Sequence, residues 1–484
     1  MEKRKKIITK INHERIEIEG EKAFMPLAQF LREEIMLTGT KVVCAEGDCG
    51  ACTVLLANSV GSDHKLLFKS VNSCILPLYL IDGAQVITVE GIQKSETELH
   101  PVQEAMVACQ GSQCGYCTPG FICAMTGMVE KLKSENKTVT EKRAKNFLTG
   151  NLCRCTGYRP ILEAATSLDL EKADLMKDRY HDPSWIAHMK AVKADSMVMN
   201  LDHKKIFLPA TLSEALEMKS NDPHLKVVAG STDVGVVVNK GKMQTPKTMA
   251  LYHIDELKKI SLDEGFINVG STVTLSEFED YIATYVPELK KILHIFASPQ
   301  IKNQATLIGN VVNASPIADT IPFLMAMDAR VVLASARGVR ESVLKDFYLG
   351  YKSLDLKADE LVTAIKIPRL KPSEKIKLYK VSLRKDLDIS AATFAGVVEV
   401  DSGKIKSMRV ALGGVGPIVM RLTQIEQDSI GLDFTSNTFE EIAQNLPQYI
   451  SPISDLRASK EYRLLVSQNF MRKFYFELSN GVSV

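Results

Sequence analysis

Apolar positions recur along this chain in two different periods, and the change of period divides it. Residues 6–18 read as a hairpin: an apolar run to Ile11, a turn at Asn12-His13-Glu14, then alternating Ile16 and Ile18. Pro26, Leu27, Phe30, Leu31 and Ile35 follow at helical spacing, and residues 53–56 read as a strand. From Pro101 the period is helical throughout, with Val102, Ala105, Met106 and Cys109 on one face. Thr118 as cap and Pro119 as first helical residue open a second helix through Phe121, Ile122, Met125, Met128, Val129 and Leu132. A third helix over 141–148 stops at Gly150 as its C-cap, and a fourth after Pro160 carries Ile161, Leu162, Ala165 and Leu168. Four short helices predict one small helical unit.

Residues 169–202 mix charges without a sustained period, which predicts a surface linker with one short helix around Trp185. Trp185, the only tryptophan, is expected to pin that linker to a domain. Beyond it, strands and helices alternate. Strands are expected at 330–334 and 360–368, a β-rich segment from Ile376, and closing helices over 438–449 and 455–478. The expected divisions are 1–90, 91–168, a 169–202 linker, 203–375 and 376–484.

At 484 residues the chain should make about three domains of ~150 residues each. Its 45% hydrophobic and 24% charged content are those of a globular protein, and a net charge of +2 argues against nucleic acid or a membrane surface as main partner. The basic start at Lys3, Arg4, Lys5 and Lys6 lacks an apolar stretch behind it, so no secretory signal is expected. No apolar run approaches the ~20 residues of a membrane span.

Cysteine changes the picture. Of ten cysteines, eight sit in ligand spacings within the first 155 residues, and none follows. That distribution predicts thiolate–metal chemistry in a reducing cytoplasm rather than disulfides. Residues 37–54 read LTGTKVVCAEGDCGACTV. Cys44, Cys49 and Cys52 have the C-x₄-C-x₂-C spacing of plant-type [2Fe–2S] ferredoxins, with Cys74 as the distant fourth ligand. Gly47 and Gly50 let the backbone wrap closely around such a centre. A second set brackets residues 113–160: CGYCTPG with Cys114 and Cys117, and NLCRCTGYRP with Cys153 and Cys155. Each pair precedes a helix start, whose positive end favours a thiolate-ligated centre. Four cysteines also suit Zn²⁺, but the tight Cys-x-Cys of the second pair favours a second [2Fe–2S] centre. Cys109 and Cys123 are left over, each expected as a buried inert thiol.

The cysteine-free remainder contains VVAGSTDVG over 227–235, a strand entering a small-residue loop and then a helix. Backbone N–H groups in such a loop can form a nest for a diphosphate. It lacks the G-x-G-x-x-G fingerprint, as does Gly413-Gly414-Val415-Gly416, so a Rossmann site is not expected. TLIGNVVNASPIAD over 306–319 reads as a second polar, small-residue loop.

In motif and order the chain resembles the molybdenum hydroxylases, the xanthine dehydrogenase and aldehyde oxidase family. The resemblance implies a multidomain α+β architecture. It comprises a β-grasp plant-type ferredoxin domain, a four-helix [2Fe–2S] domain, and a vanillyl-alcohol-oxidase-like FAD domain with a C-terminal α+β subdomain. It implies the eight cysteines as ligands and, as flavin contacts, Val227, Val228, Ala229, Gly230, Ser231, Thr232, Asp233, Val234, Phe296, Thr306, Asn310, Ser315 and Asp319. Val362 and Lys380 match the flavin-ring edge, and Gln113 a molybdopterin-facing position. Val43 and Ile308 depart from family glycines. With no segment long enough for a molybdopterin domain, the resemblance implies an electron-transfer subunit beside a large molybdopterin subunit, two of each. Electrons from xanthine or hypoxanthine, oxidised to urate, would pass through both centres to FAD and then NAD⁺. The alternatives are a subunit serving an aldehyde or another N-heterocycle, and a free-standing iron–sulfur flavoprotein carrier.

Overall fold

A computed structural model describes residues 3–95 and 97–479. They form two compact units, the first made of Met1–Ala215, His224–Asp255 and Ser298–Ala305, the second of Leu216–Pro223, Glu256–Ala297 and Thr306–Val484.

The first unit begins with the expected hairpin: strands β1 (Ile7–Ile11) and β2 (Glu14–Ile18), turned at Asn12 with φ of 52°. With β3 (Thr53–Ala57), β4 (Lys69–Asn72) and β5 (Gln85–Ile87) they make a sheet in the order β2-β1-β5-β3-β4. Only β1 and β5 run parallel. The helix Leu27–Glu33 buries Leu27, Phe30 and Leu31 against Ile7, Ile11 and Val54. Each such side chain contributes roughly 1.5–3 kcal/mol of burial before chain entropy is counted.

The helical unit has its four helices at Pro101–Ala108, Thr118–Ser134, Glu141–Leu148 and Arg159–Thr166. Val102, Met106, Phe121, Met125, Met128 and Ile161 fill its core. Two expected caps differ. Cys117 occupies the N-cap place before Thr118, whose hydroxyl instead donates to Ser112 at 2.8 Å. Thr149 caps the third helix, and Gly150 is needed for a close approach described below.

Residues 169–202 also differ from a surface linker. They contain the helix expected around Trp185, Pro183–Ala194, but also the helix Met176–Arg179 and a strand, β6 (Met197–Asn200). Asp182 caps the longer helix by accepting from the Ser184 and Trp185 N–H groups. Trp185 is buried in the core that the helices share with the first sheet, the pinning role expected of it. Of the two spare thiols, Cys123 is buried and Cys109 is partly exposed.

The strand β6 begins a second sheet with β7 (Lys205–Leu208), β8 (Lys226–Val228) and β9 (Lys247–Ala250), ordered β6-β7-β9-β8. Met197, Ile206, Val228 and Ala250 pack in one core with Ile7, Leu27 and Val86. So this sheet and the ferredoxin-like sheet bury a common apolar layer.

The second unit holds a sheet of β10 (Ile260–Asp263), β11 (Phe266–Gly270), β12 (Arg330–Ser335), β13 (Gly338–Val343) and β16 (Leu361–Pro368), with a small hairpin β14 (Tyr348–Gly350) and β15 (Ser353–Leu354) between. The strand order is β10-β11-β16-β12-β13. A meander of β17 (Glu374–Val381), β18 (Ala392–Asp401), β19 (Lys404–Gly413) and β20 (Met420–Arg421) follows. Phe394, Phe439, Phe470 and Phe474 pack it against the helices Ser436–Asn445 and Lys460–Ser479. The last helix starts at Lys460 rather than Asp455, because Asp455 accepts from the Arg457 and Ala458 N–H groups in the turn before it. Among the described residues no helix is long and apolar enough to cross a membrane.

Candidate functional site

The loop between the helix Leu27–Glu33 and β3 brings the first four cysteines together. Ala45, Gly47 and Gly50 all take left-handed backbone conformations, which curl the loop back on itself. Cys44 and Cys49 are side-chain partners, as are Cys52 and Cys74, and Cys44 also reaches Cys74. Hydrogen bonds from Cys49 and Cys74 hold the Cys44 thiol well below its ordinary value, and the contact with Cys44 pushes Cys49 up. The Glu46 N–H donates to Cys44 Sγ at 3.4 Å, and Asn72 Nδ2 to Cys52 Sγ at 3.8 Å. Such N–H···S contacts favour added negative charge on a thiolate-ligated centre.

The second set forms two cross pairs, Cys114 with Cys155 and Cys117 with Cys153. Each joins one thiol of the Cys-x-x-Cys to one of the Cys-x-Cys. Burial, with the Cys153 contact, pushes the Cys117 thiol up to about 12. Burial opposes the shift at Cys153, yet hydrogen bonding to Thr156, whose Oγ1 lies 3.1 Å from Cys153 Sγ, holds that thiol low. Among the described residues no group of three or more His, Cys, Asp or Glu is arranged around a single metal ion. Four thiols brought together, linked through Cys44 in the first set and in two cross pairs in the second, suit a centre of two irons, so both sets fit [2Fe–2S] ligation.

Gln113, Cys114 and Cys155 are exposed. Tyr116, Leu152 and Tyr158, neighbours of these residues in sequence, are 47%, 54% and 38% exposed, large side chains left at the surface. Val43 is also exposed, so its departure from glycine crowds nothing buried.

In the same unit, β8 delivers Val227 and Val228 to the 229–233 loop, and Val234 starts the helix Val234–Asn239. A Cβ on Gly230 would stand 1.9 Å from the Gln304 carbonyl oxygen, so only glycine fits. Ser231 has φ of 60°, and its hydroxyl, buried beside Tyr79, makes no hydrogen bond of normal geometry. A cavity of about 590 Å³ opens alongside, with Ser231, Val234, Gly235 and Val238 in its lining. A strand–loop–helix with a buried hydroxyl to spare is a fitting cradle for a diphosphate. We expect Gly230→Ala to cost roughly 1–3 kcal/mol by overpacking and to lower FAD retention several-fold. Flavin-to-protein ratios after gel filtration check this; full retention would show the loop does not hold the cofactor.

The second unit places its candidates on two elements. Thr306 caps the helix Leu307–Val312 by accepting from the Gly309 N–H, so the stretch expected as a loop is partly helical. Ile308, a departure from the glycine that the resemblance implies, is buried at 5% exposure. Asn310 accepts from the Thr320 hydroxyl at 2.6 Å. Asp319 accepts from Lys380 Nζ and from the Ser390 hydroxyl, both at 2.5 Å, and Lys380 also donates to the Asp388 carbonyl at 2.8 Å. Burial pushes the Asp319 carboxyl up against the pull of Lys380 and Ser390. The Lys380–Asp319 pair has side-chain exposures of only 1% and 4%. Ser315 accepts from the Ile317 N–H at 3.4 Å, Val362 is buried on β16, and Phe296 is half-buried before Ala297, whose φ is 54°.

Sequence reasoning missed Ser390, Asp388, Asn239, Asn151 and Gln300. Asn239 Nδ2 donates to the carbonyls of Ala45 and Cys74 at 2.9 and 2.8 Å, tying the helix after the diphosphate-type loop to the cysteine loop. No local motif marks it.

Comparison with known proteins finds three family matches along the chain. Residues 88–166 match the [2Fe-2S] binding domain family, residues 200–370 the FAD binding domain in molybdopterin dehydrogenase, and residues 377–478 the CO dehydrogenase flavoprotein C-terminal domain. Xanthine dehydrogenase 1 of Arabidopsis thaliana is 30% identical over 95% of this chain, and the xanthine dehydrogenase/oxidase of Gallus gallus 28% over 94%. The chain spans 39% of the length of each of these two relatives. Among solved structures, a quinoline 2-oxidoreductase chain from Pseudomonas putida 86 aligns with a TM-score of 0.52 at 24% identity, covering 57% of this chain and 96% of that one. A carbon monoxide dehydrogenase chain from Hydrogenophaga pseudoflava aligns at 0.53 and 21% identity over 57% and 96%. These likenesses support the fold of the 57% of the chain that they cover. The chain thus carries iron–sulfur and FAD-binding domains related to those of the molybdenum hydroxylases.

Proposed function

We propose that this chain is the iron–sulfur/FAD subunit of a molybdenum hydroxylase of the xanthine dehydrogenase kind, as in the small subunit of the bacterial enzymes. Its partner would be a large molybdopterin-binding subunit, in an assembly of two small and two large chains. The observation that carries the reading is two sets of four cysteines, each in paired contact, in one chain with an FAD-binding domain. When bound, two [2Fe–2S] centres and FAD supply a relay from one-electron carriers to a two-electron acceptor able to pass a hydride to NAD⁺.

Cys44, Cys49, Cys52 and Cys74 would hold one centre, and Cys114, Cys117, Cys153 and Cys155 the other. The 227–234 loop would carry the flavin diphosphate, with Ser231 offering its buried hydroxyl. Phe296, Thr306, Asn310, Ser315, Asp319, Val362 and Lys380 are the other flavin candidates, on a vanillyl-alcohol-oxidase-like fold. Lys380 is fixed by Asp319 and Asp388 rather than free to swing, which suits a positioned cation. The exposed side chains of Tyr116, Leu152 and Tyr158, with Gln113, are where the molybdopterin subunit would dock. The solved relatives that act on carbon monoxide and quinoline keep a second reading alive, the same relay serving a different substrate.

The test is a pull-down followed by a xanthine assay. Alone, the chain should oxidise NADH with an artificial acceptor and leave xanthine untouched. The bound large subunit should restore xanthine-dependent NADH formation, and Gln113→Ala should slow it about tenfold, the scale of a lost outer-shell contact, without losing either centre. Xanthine oxidation by the isolated chain, or an active complex without molybdenum, would overturn the proposal. Activity on another heterocycle alone would favour the second reading.

A further inference from the structure

The two cysteine sets meet backbone to backbone. Gly50 lies between Cys49 and Cys52, Gly120 three residues after Cys117, and Gly150 three residues before Cys153. A Cβ on Gly50 would stand 2.3 Å from the Gly150 carbonyl oxygen, and one on Gly120 2.2 Å from the Gly50 carbonyl oxygen. No side chain fits between the loops. Across this seam the Leu152 N–H donates to the Cys49 carbonyl at 2.9 Å. Cys49 belongs to the first set, and Leu152 is bonded to Cys153 of the second. One hydrogen bond therefore links the two sets, with covalent bonds on either side of it.

A buried polar network holds the seam. Asn151 Nδ2 donates to the Gly50 carbonyl at 3.0 Å, and Gln300 Nε2 donates to Asn151 Oδ1 at 2.7 Å and to Thr53 Oγ1 at 3.3 Å. Asn151 is 3% exposed and Gln300 0%. Gln300 Oε1 would lie 2.1 Å from a Cβ on Gly150, so the amide fills the space that glycine leaves. A fully buried amide is costly to desolvate and is retained where its bonds fix a geometry. Here they fix Asn151, and with it the register of Leu152 against Cys49.

We infer that the Cys49–Leu152 hydrogen bond is the electron path between the two centres, and that Gln300, acting through Asn151, is the positioning residue that keeps it closed. The inference rests on the proposed function, because it needs both centres loaded. With both centres bound, one electron would cross this bond from the Cys114, Cys117, Cys153 and Cys155 set to the Cys44, Cys49, Cys52 and Cys74 set. No proton or bond changes hands, and the electron comes from a reductant feeding the helical-domain centre. Asn151 and Gln300 touch neither sulfur, so their loss should alter the crossing rather than the centres.

The test uses the full holo-chain and its Gln300→Met and Asn151→Asp variants, with iron, sulfide and FAD content measured first. Freeze-quench EPR after one-electron photoreduction follows the electron between centres, and low-temperature EPR of the fully reduced chain reads their spin–spin splitting. Both variants should keep both EPR signals and NADH-to-dye activity, while inter-centre transfer slows about tenfold or more, as misplacement by a fraction of an ångström does elsewhere, and the splitting weakens. Unchanged transfer in loaded variants would overturn the inference. So would loss of the centres in both variants, which would make the network a clamp for cluster assembly. Absence of two iron–sulfur signals in the unaltered chain would instead sink the functional reading beneath it.

Discussion

Cys153→Ser is expected to remove the helical-domain EPR signal and leave that of the Cys44, Cys49, Cys52 and Cys74 centre. Cys153 pairs with Cys117 across the set and is the residue to which Leu152 delivers the seam. Serine offers a harder, less polarisable oxygen in place of a thiolate, and a two-iron centre with one weak ligand is lost or strongly shifted. Loss of an outer partner at a metal site costs up to about 100-fold in activity, and loss of a ligand should cost at least that. Substrate-to-NAD⁺ transfer in the complex should therefore fall at least about 100-fold, while NADH-to-dye activity at the flavin stays near its starting value. Survival of both EPR signals unchanged would show that Cys153 is not a ligand.

The second large effect is expected at Asp319. Its carboxylate is held by Lys380 and Ser390 in a site that side chains close to water. Asp319→Ala leaves the Lys380 ammonium buried without its counter-charge, a change that costs about 3–5 kcal/mol in comparable buried pairs. The second unit should unfold at distinctly lower urea and bind FAD poorly, with iron content unaffected. The double variant Asp319→Ala, Lys380→Met should recover much of the stability, since replacing both partners removes the stranded charge. If the single variant unfolds at the original urea concentration and keeps its FAD, the pair is neither a structural lock nor part of the flavin site.

How much of this was legible in the sequence depends on the distance over which each feature is encoded. The cysteine sets were legible because most ligands sit two to five residues from another, Cys74 and the gap from Cys117 to Cys153 excepted, and glycine marks the curled loop. The hairpin and most helices followed from periodicity. The helix Pro183–Ala194 was legible as a short helix around Trp185, with Asp182 and Pro183 encoding its start; its burial was not, because charged positions mask the inward-facing Trp185, Ile186, Met189 and Val192. Thr118 looked like a cap, yet Cys117 holds that place. What stayed hidden lies in pairings far apart in sequence. Gln300 meets Asn151 across 149 positions, and Lys380 meets Asp319 across 61. A lone glutamine or lysine carries no local signal for such a partner, and only the folded chain shows which amide and which charge each one meets.

The central claim is that this chain is an iron–sulfur flavoprotein relay. It is tested most directly by anaerobic purification of the intact chain, followed by iron, sulfide, zinc and flavin analysis and EPR of the reduced protein. About four iron and four sulfide per chain, two distinct [2Fe–2S] signals, and one FAD are expected. Stoichiometric zinc with no iron, or a single iron–sulfur signal from a fully loaded chain, would contradict it.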